Sequence, residues 1–161
     1  MKGRMMYKLL AMMFIFFASQ SFAADTKFYF DKNFRAKDMK NVKIMLVDQA
    51  RGGCWTNSKE INKVIKQRFK ELNVRVLSKN TGGVQGKDYI FYVFVSAQRL
   101  KADGTGPCFG YMLADLSTQT NLNKRVHSAK AMEYTRGLWA TNSNLNEIVM
   151  NSALEAIKSL R

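Results

Sequence analysis

The chain of 161 residues holds one histidine, two cysteines and one proline, and its 12 acidic residues stand against 26 basic ones. Each shortage removes a class of function. His127, Cys54 and Cys108 are widely separated and show no zinc spacing, so neither a metal nor another cofactor is expected. The glycines of "NTGGVQGKD" (80–88) lack the Walker spacing and a following helix, so no phosphate loop is read there. The charge has no nucleic-acid motif beside it, and nucleic acid is not an expected partner. The apolar run at the start, "LLAMMFIFFA" (9–18), is too short for a comfortable membrane span.

That start has the form of an export signal. Lys2, Arg4 and Lys8 make a basic region, the apolar run follows, and Ser21-Phe22-Ala23 is a small-x-small exit. Residues 1–23 are expected to be a signal peptide cleaved after Ala23, with Ala24 as the alternative. No cysteine lies near the exit, which speaks against a lipoprotein anchor. A periplasmic location is expected, and an extracellular fate stays open. Cleavage takes three of the 26 basic residues and leaves 23 against 12 acidic ones, a net charge of +11. Such a charge favours an anionic envelope component or an acidic partner, against the alternative of a merely solvated face.

The rest fits one domain. Residues 24–41 read as an N-terminal arm and 42–161 as a single small α+β domain. "VKIMLVD" (42–48) predicts a strand and "QARGGCWTN" a loop. Residues 58–72 predict a helix, with Asn57 and Glu60 as a capping-box pair. Ile61, Val64, Ile65, Phe69 and Leu72 share one face, and Lys59, Lys63, Lys66 and Lys70 the opposite one. Arg68 falls inside the apolar arc and is expected to snorkel to its edge. Segments 74–78, 88–100, 109–116 and 125–136 predict strands, the last three as an antiparallel meander, with "STQTNLNK" (117–124) as a polar turn. The run 88–100 is apolar on both faces, which predicts a central strand. Asn144 with Glu147 predicts a second capping box, leading a C-terminal helix that carries Leu145, Ile148, Val149, Ala153, Ala156, Ile157 and Leu160 on one face.

Two cysteines in an exported chain predict a Cys54–Cys108 disulfide. A competing reading exists. "GGCW" (52–55) resembles the nucleophile region of papain-like peptidases, where a helix N-terminus lowers the thiol pKa. That resemblance implies a small cysteine hydrolase, a peptidase or cell-wall amidase, with Cys54 as nucleophile, His127 as base and Asn142 or Asn144 as its orienter. Gln49 does not stand at the spacing that family uses.

The order of elements also resembles TolB-type amino-terminal domains and the related domain of curli-type secretion channels. The segments that carry the resemblance are "VKIMLVD", "SKEINKVIKQRFKELNVRVL", "DYIFYVFVSAQ", "GYMLADLSTQT" with its Leu113-to-Ser117 pattern, and "LNEIVMNSALEAIKSL". It implies a non-enzymatic role in envelope assembly or regulation through protein contacts, with self-association as one form of contact. The candidate contact residues are Phe28, Tyr29 and Phe30 on the arm, the lysine stripe, and an exposed strand edge or the aromatic meander.

Overall fold

A computed structural model describes residues 33–78, 86–101, 105–122, 125–141 and 144–160, with side chains throughout except over residues 120–128. A 3-10 turn at Ala36–Asp38 precedes β1 (Asn41–Ala50), α1 (Ser58–Glu71), β2 (Arg75–Val76), β3 (Asp88–Arg99), β4 (Cys108–Leu122), β5 (Arg125–Ala140) and α2 (Asn146–Lys158). The strands form one mixed sheet in the order β2-β1-β3-β4-β5. β1 runs parallel to both β2 and β3, and β3, β4 and β5 are antiparallel. This is the expected α+β arrangement: strand-helix-strand, a three-strand meander and a C-terminal helix, with β3 central.

Alternation along the strands decides where the core sits. Side chains at successive strand positions point to opposite faces. Val42 and Ile44 of β1, Phe91, Val93 and Val95 of β3, Met112, Ala114 and Leu116 of β4, and Met132 and Leu138 of β5 are buried on one face. Both helices cover that face. α1 buries Ile61, Ile65 and Phe69, while α2 buries Val149, Ala153, Ala156 and Ile157. The Phe69 and Phe91 rings meet edge-on with centroids 5.2 Å apart, which locks α1 to the central strand.

Several expectations are corrected at element ends. Asn57 occupies the N-cap position of α1 but makes no side-chain cap bond; its Oδ1 accepts from the Trp55 indole N–H at 3.0 Å instead. Leu145, not Asn144, is the N-cap of α2, and Asn144 Oδ1 accepts from the Asn146 amide at 3.2 Å. Arg68 is not such a case: its side chain is partly exposed and pairs with Glu71 one turn on. The segment expected as a polar turn is strand as far as Leu122, and β5 extends to Ala140. A register shift between Leu116 and Ser117 marks where this ribbon leaves the core. The strand expected at 74–78 is reduced to two residues. Nor is the whole of 24–41 an appendage. Ala36 and Met39 are buried, the Ala36 amide donates to the Leu160 carbonyl at 2.8 Å, and Phe34 packs on Tyr89 at 5.1 Å.

Candidate functional site

The "GGCW" stretch is a junction between four elements. Gly52 and Gly53 adopt φ of 64° and 68°, left-handed angles that turn the chain sharply after β1. Cys54 is fully buried and its sulfur is bonded to Cys108 at the start of β4, with the Cα atoms 5.6 Å apart. Trp55 is buried beside it. The Cys54 carbonyl accepts from the Leu145 amide at 2.7 Å, and the Asn146 side chain bonds both the amide and the hydroxyl of Thr56 at 2.9 Å. Arg99 at the end of β3 donates to the carbonyls of Gly52 and Gly106, each at 2.8 Å. The loops after β1 and before β4 are thereby tied to each other and to the start of α2.

This arrangement corrects the catalytic alternative. A nucleophilic cysteine needs a free, accessible thiolate. Cys54 has its sulfur in the bridge and no exposed surface. His127 is also far from it. Cys108 pairs with Ala140, whereas His127 pairs with Thr120 near the tip of the same hairpin. The separation from His127 to Ala140 along β5 is roughly 40 Å at strand rise. Asn144 serves the start of α2, and Asn142 lies outside the described residues.

The more informative surface is the sheet face that the helices leave open. The register sets its rows: Met45, Tyr92, Asp115 and Glu133; then Val47, Phe94, Leu113 and Thr135; then Gln49, Ser96, Tyr111 and Gly137; then Gln98, Phe109 and Trp139. No described element packs over them. Trp139 is 56% exposed, Tyr111 48% and Met45 39%. Tyr92 and Phe94 stack at 6.4 Å and Phe94 meets Tyr111 at 5.7 Å, so the rings form a continuous band. An open cleft of about 840 Å³ lies at one end of the band, between Gln49, Arg51, Ser96, Gln98, Phe109 and Tyr111. Gly110 permits close approach of β3 and β4 at this end. A Cβ there would lie 2.6 Å from the Ala97 Cα and would also strike the Ser96 carbonyl oxygen.

One ionisable group on this face is perturbed. Asp115 is nearly buried, and desolvation pushes its carboxyl above the ordinary value. Glu133, directly across the β4–β5 pair, acts in the same direction, while Lys130 and a hydrogen bond with Ser117 oppose it.

Of the other predicted contact residues, Lys59, Lys63, Lys66 and Lys70 do share one outer face of α1, together with Asn62 and Gln67. Phe28, Tyr29 and Phe30 lie outside the described residues. Sequence reasoning singled out the aromatic meander but not which rings stay uncovered. The strict alternation of Phe91, Val93 and Val95 with Tyr92 and Phe94 carried that signal. Among the described residues no group of His, Cys, Asp or Glu side chains could hold a metal, and no helix is long and apolar enough to cross a membrane.

No family model and no curated protein matches the chain. Among solved structures it is similar to the rare lipoprotein B from Shewanella oneidensis, at 12% identity and a TM-score of 0.30, over 73% of this chain and 92% of that one. A likeness of that size carries no argument about function.

Proposed function

We propose that this is an exported, non-enzymatic envelope protein that acts by contact with another protein, using the uncovered face of its sheet. The observation that carries the proposal is the set of aromatic residues Tyr92, Phe94, Tyr111, Phe109 and Trp139 on the sheet face opposite the two helices, over which no described element packs and where Tyr111 and Trp139 are exposed. Exposed aromatic clusters of this kind suit protein interfaces, where rigid rings supply area at little entropic cost. The disulfide fits an oxidising compartment, as the export pattern of residues 1–23 requires. The basic charge would speed encounter with an acidic partner. A periplasmic site of action and the resemblance to TolB-type amino-terminal domains belong to the same proposal.

The test is a double change, Tyr111→Ser with Trp139→Ser, in the protein used as bait on an envelope extract. Both side chains are about half exposed, so the fold should hold within about 1 kcal/mol. Capture of the specific partner should fall about tenfold or more. Undiminished capture by a folded variant would exclude this face.

A further inference from the structure

β1 has one edge that its neighbours barely use. β2 pairs with it only at Asn41 and Val42, and the Leu77 amide adds one bond to the Val42 carbonyl. Backbone groups of alternate strand residues point to opposite sides. The Arg51 amide donates to Ala97 of the β3 chain, so the odd-numbered positions face β3 and the even ones face outward. Ile44 and Leu46 therefore turn amide and carbonyl toward an edge on which, among the described residues, no strand runs. The Ala50 amide, farther along, is closed off by the Asp48 carboxylate at 2.8 Å. The open stretch is thus bounded at both ends. β5, at the opposite edge of the sheet, carries a Lys130–Glu133 ion pair and Arg136, the charged dress that usually discourages strand addition.

Helix α1 overhangs the open stretch. Together they enclose a cleft of about 290 Å³ lined by Lys43, Ile44, Met45, Leu46 and Asn62. Asn62 lines the cleft, and its side-chain Oδ1 is buried without a hydrogen-bond partner. A buried acceptor left unpaired is costly, so Asn62 is retained at a cost in stability. Asn62 also lines the adjoining surface with Lys59, Lys63, Lys66 and Lys70. None of these four lysines takes part in the ion pairs found among the described residues.

We infer that this groove binds an extended acidic peptide segment of a partner protein, added to the sheet as a strand beside β1. Peptide amides and carbonyls pair with Ile44 and Leu46 beside the Asn62 side chain, and the segment's carboxylates face the lysine row. Backbone bonding supplies affinity and the charges supply selection. A second copy of the chain is a poor occupant, because its net charge, +11 without residues 1–23, repels the same lysines. The inference rests on the reading of the protein as a contact module and names the chemistry of one partner segment.

The probe is a fluorescein-labelled peptide of about ten residues alternating Glu with Val and Thr, the strand period that puts one charged face toward the lysines. Its control carries Lys in place of Glu. The Glu peptide should bind, and the Lys peptide should not. On binding, amide exchange at Ile44 and Leu46 should slow by about tenfold or more, a change that loose electrostatic association would not produce. Lys59→Gln, Lys63→Gln, Lys66→Gln and Lys70→Gln together should weaken binding about tenfold at low salt and flatten its salt dependence. Leu46→Pro removes an outward amide while sparing the β3 ladder, as proline on an edge allows, and should also weaken binding about tenfold. Should Leu46→Pro fail to fold, Asn62→Leu serves. It removes the orphaned acceptor, so it should raise the melting temperature and still weaken the peptide. Binding with unchanged exchange at Ile44 and Leu46, equal binding of both peptides, or no binding at millimolar peptide overturns the inference. In those cases the contact reading still stands if the envelope partner is lost on Tyr111→Ser with Trp139→Ser. Equal capture by that double variant and by the parent is what removes the contact reading.

Discussion

Cys54 shows how one residue can suggest chemistry and serve structure. Its bridge to Cys108 spans a sequence separation of 54 residues. In the chain-entropy model a loop of that length stabilises by about 4 kcal/mol, although the origin of such stabilisation is disputed. Changing both cysteines to Ala should lower stability by about 2–4 kcal/mol in urea titration, and an unmoved midpoint would count against the junction described above. The pairing was legible from an even cysteine count in an exported chain. The capping pairs were not, because an Asn before a helix has several acceptable partners. Asn57 turns to Trp55, and only the packing of Trp55 decides that.

Asp115 was invisible in the sequence, since nothing in "LADLS" announces a carboxylate shielded on an otherwise open face. Its folded carboxyl titrates above the unfolded value of 3.8, chiefly through desolvation. The folded state therefore holds the proton where the unfolded state has released it. The group's contribution to stability is fully present below that unfolded value and is lost as pH rises through the raised folded one. Asp115→Asn should exceed the parent in melting temperature at neutral pH and show a shallower decline between acid and neutral pH. Parallel curves for the two proteins would mean that Asp115 is not so perturbed.

At the scale of elements, helix α1 and the central strand were the most readable. Ile61, Ile65 and Phe69 repeat at helical spacing and all three are buried. Val64 and Leu72, assigned to the same face, sit at its margins and are only partly covered. Phe69→Ala should accordingly cost about 3–5 kcal/mol, while Val64→Ala should cost about 1 kcal/mol or less, as read from denaturant midpoints. Equal losses would mean that the helix docks on a different arc. The β4–β5 hairpin was the least readable. Its outer half on β4, Ser117–Leu122, is polar, so no apolar alternation marks it as strand, whereas its partner over 125–136 was legible as one. Pairing alone defines that half of β4. β2 erred the other way: "VRVLS" alternates well, but only Arg75 and Val76 find a partner on β1.

At the scale of the whole molecule, one sheet with two helices on the same side leaves, among the described residues, one face without a covering element and one edge half used. Sequence periodicity gave both strand faces of β3 as apolar, which suits either a sheet covered twice or a sheet covered once with a contact surface. Only the placement of α1 and α2 side by side separates the two. The junction around Cys54–Cys108 and Arg99 holds together the loop end of that sheet, next to Phe109 and Tyr111. A partner docking on the aromatic band would thus meet a braced surface, and little ordering cost would oppose binding.

The central claim is that this face meets another protein in the envelope. The most direct measurement places a photoreactive amino acid at Trp139, and separately at Lys158 on α2 as a control, in the exported protein in living cells. Illumination should give one discrete adduct of higher mass from position 139 and none from position 158. Absence of any adduct from 139 and from a second placement at Tyr111, with the folded protein present in the envelope, would contradict the account.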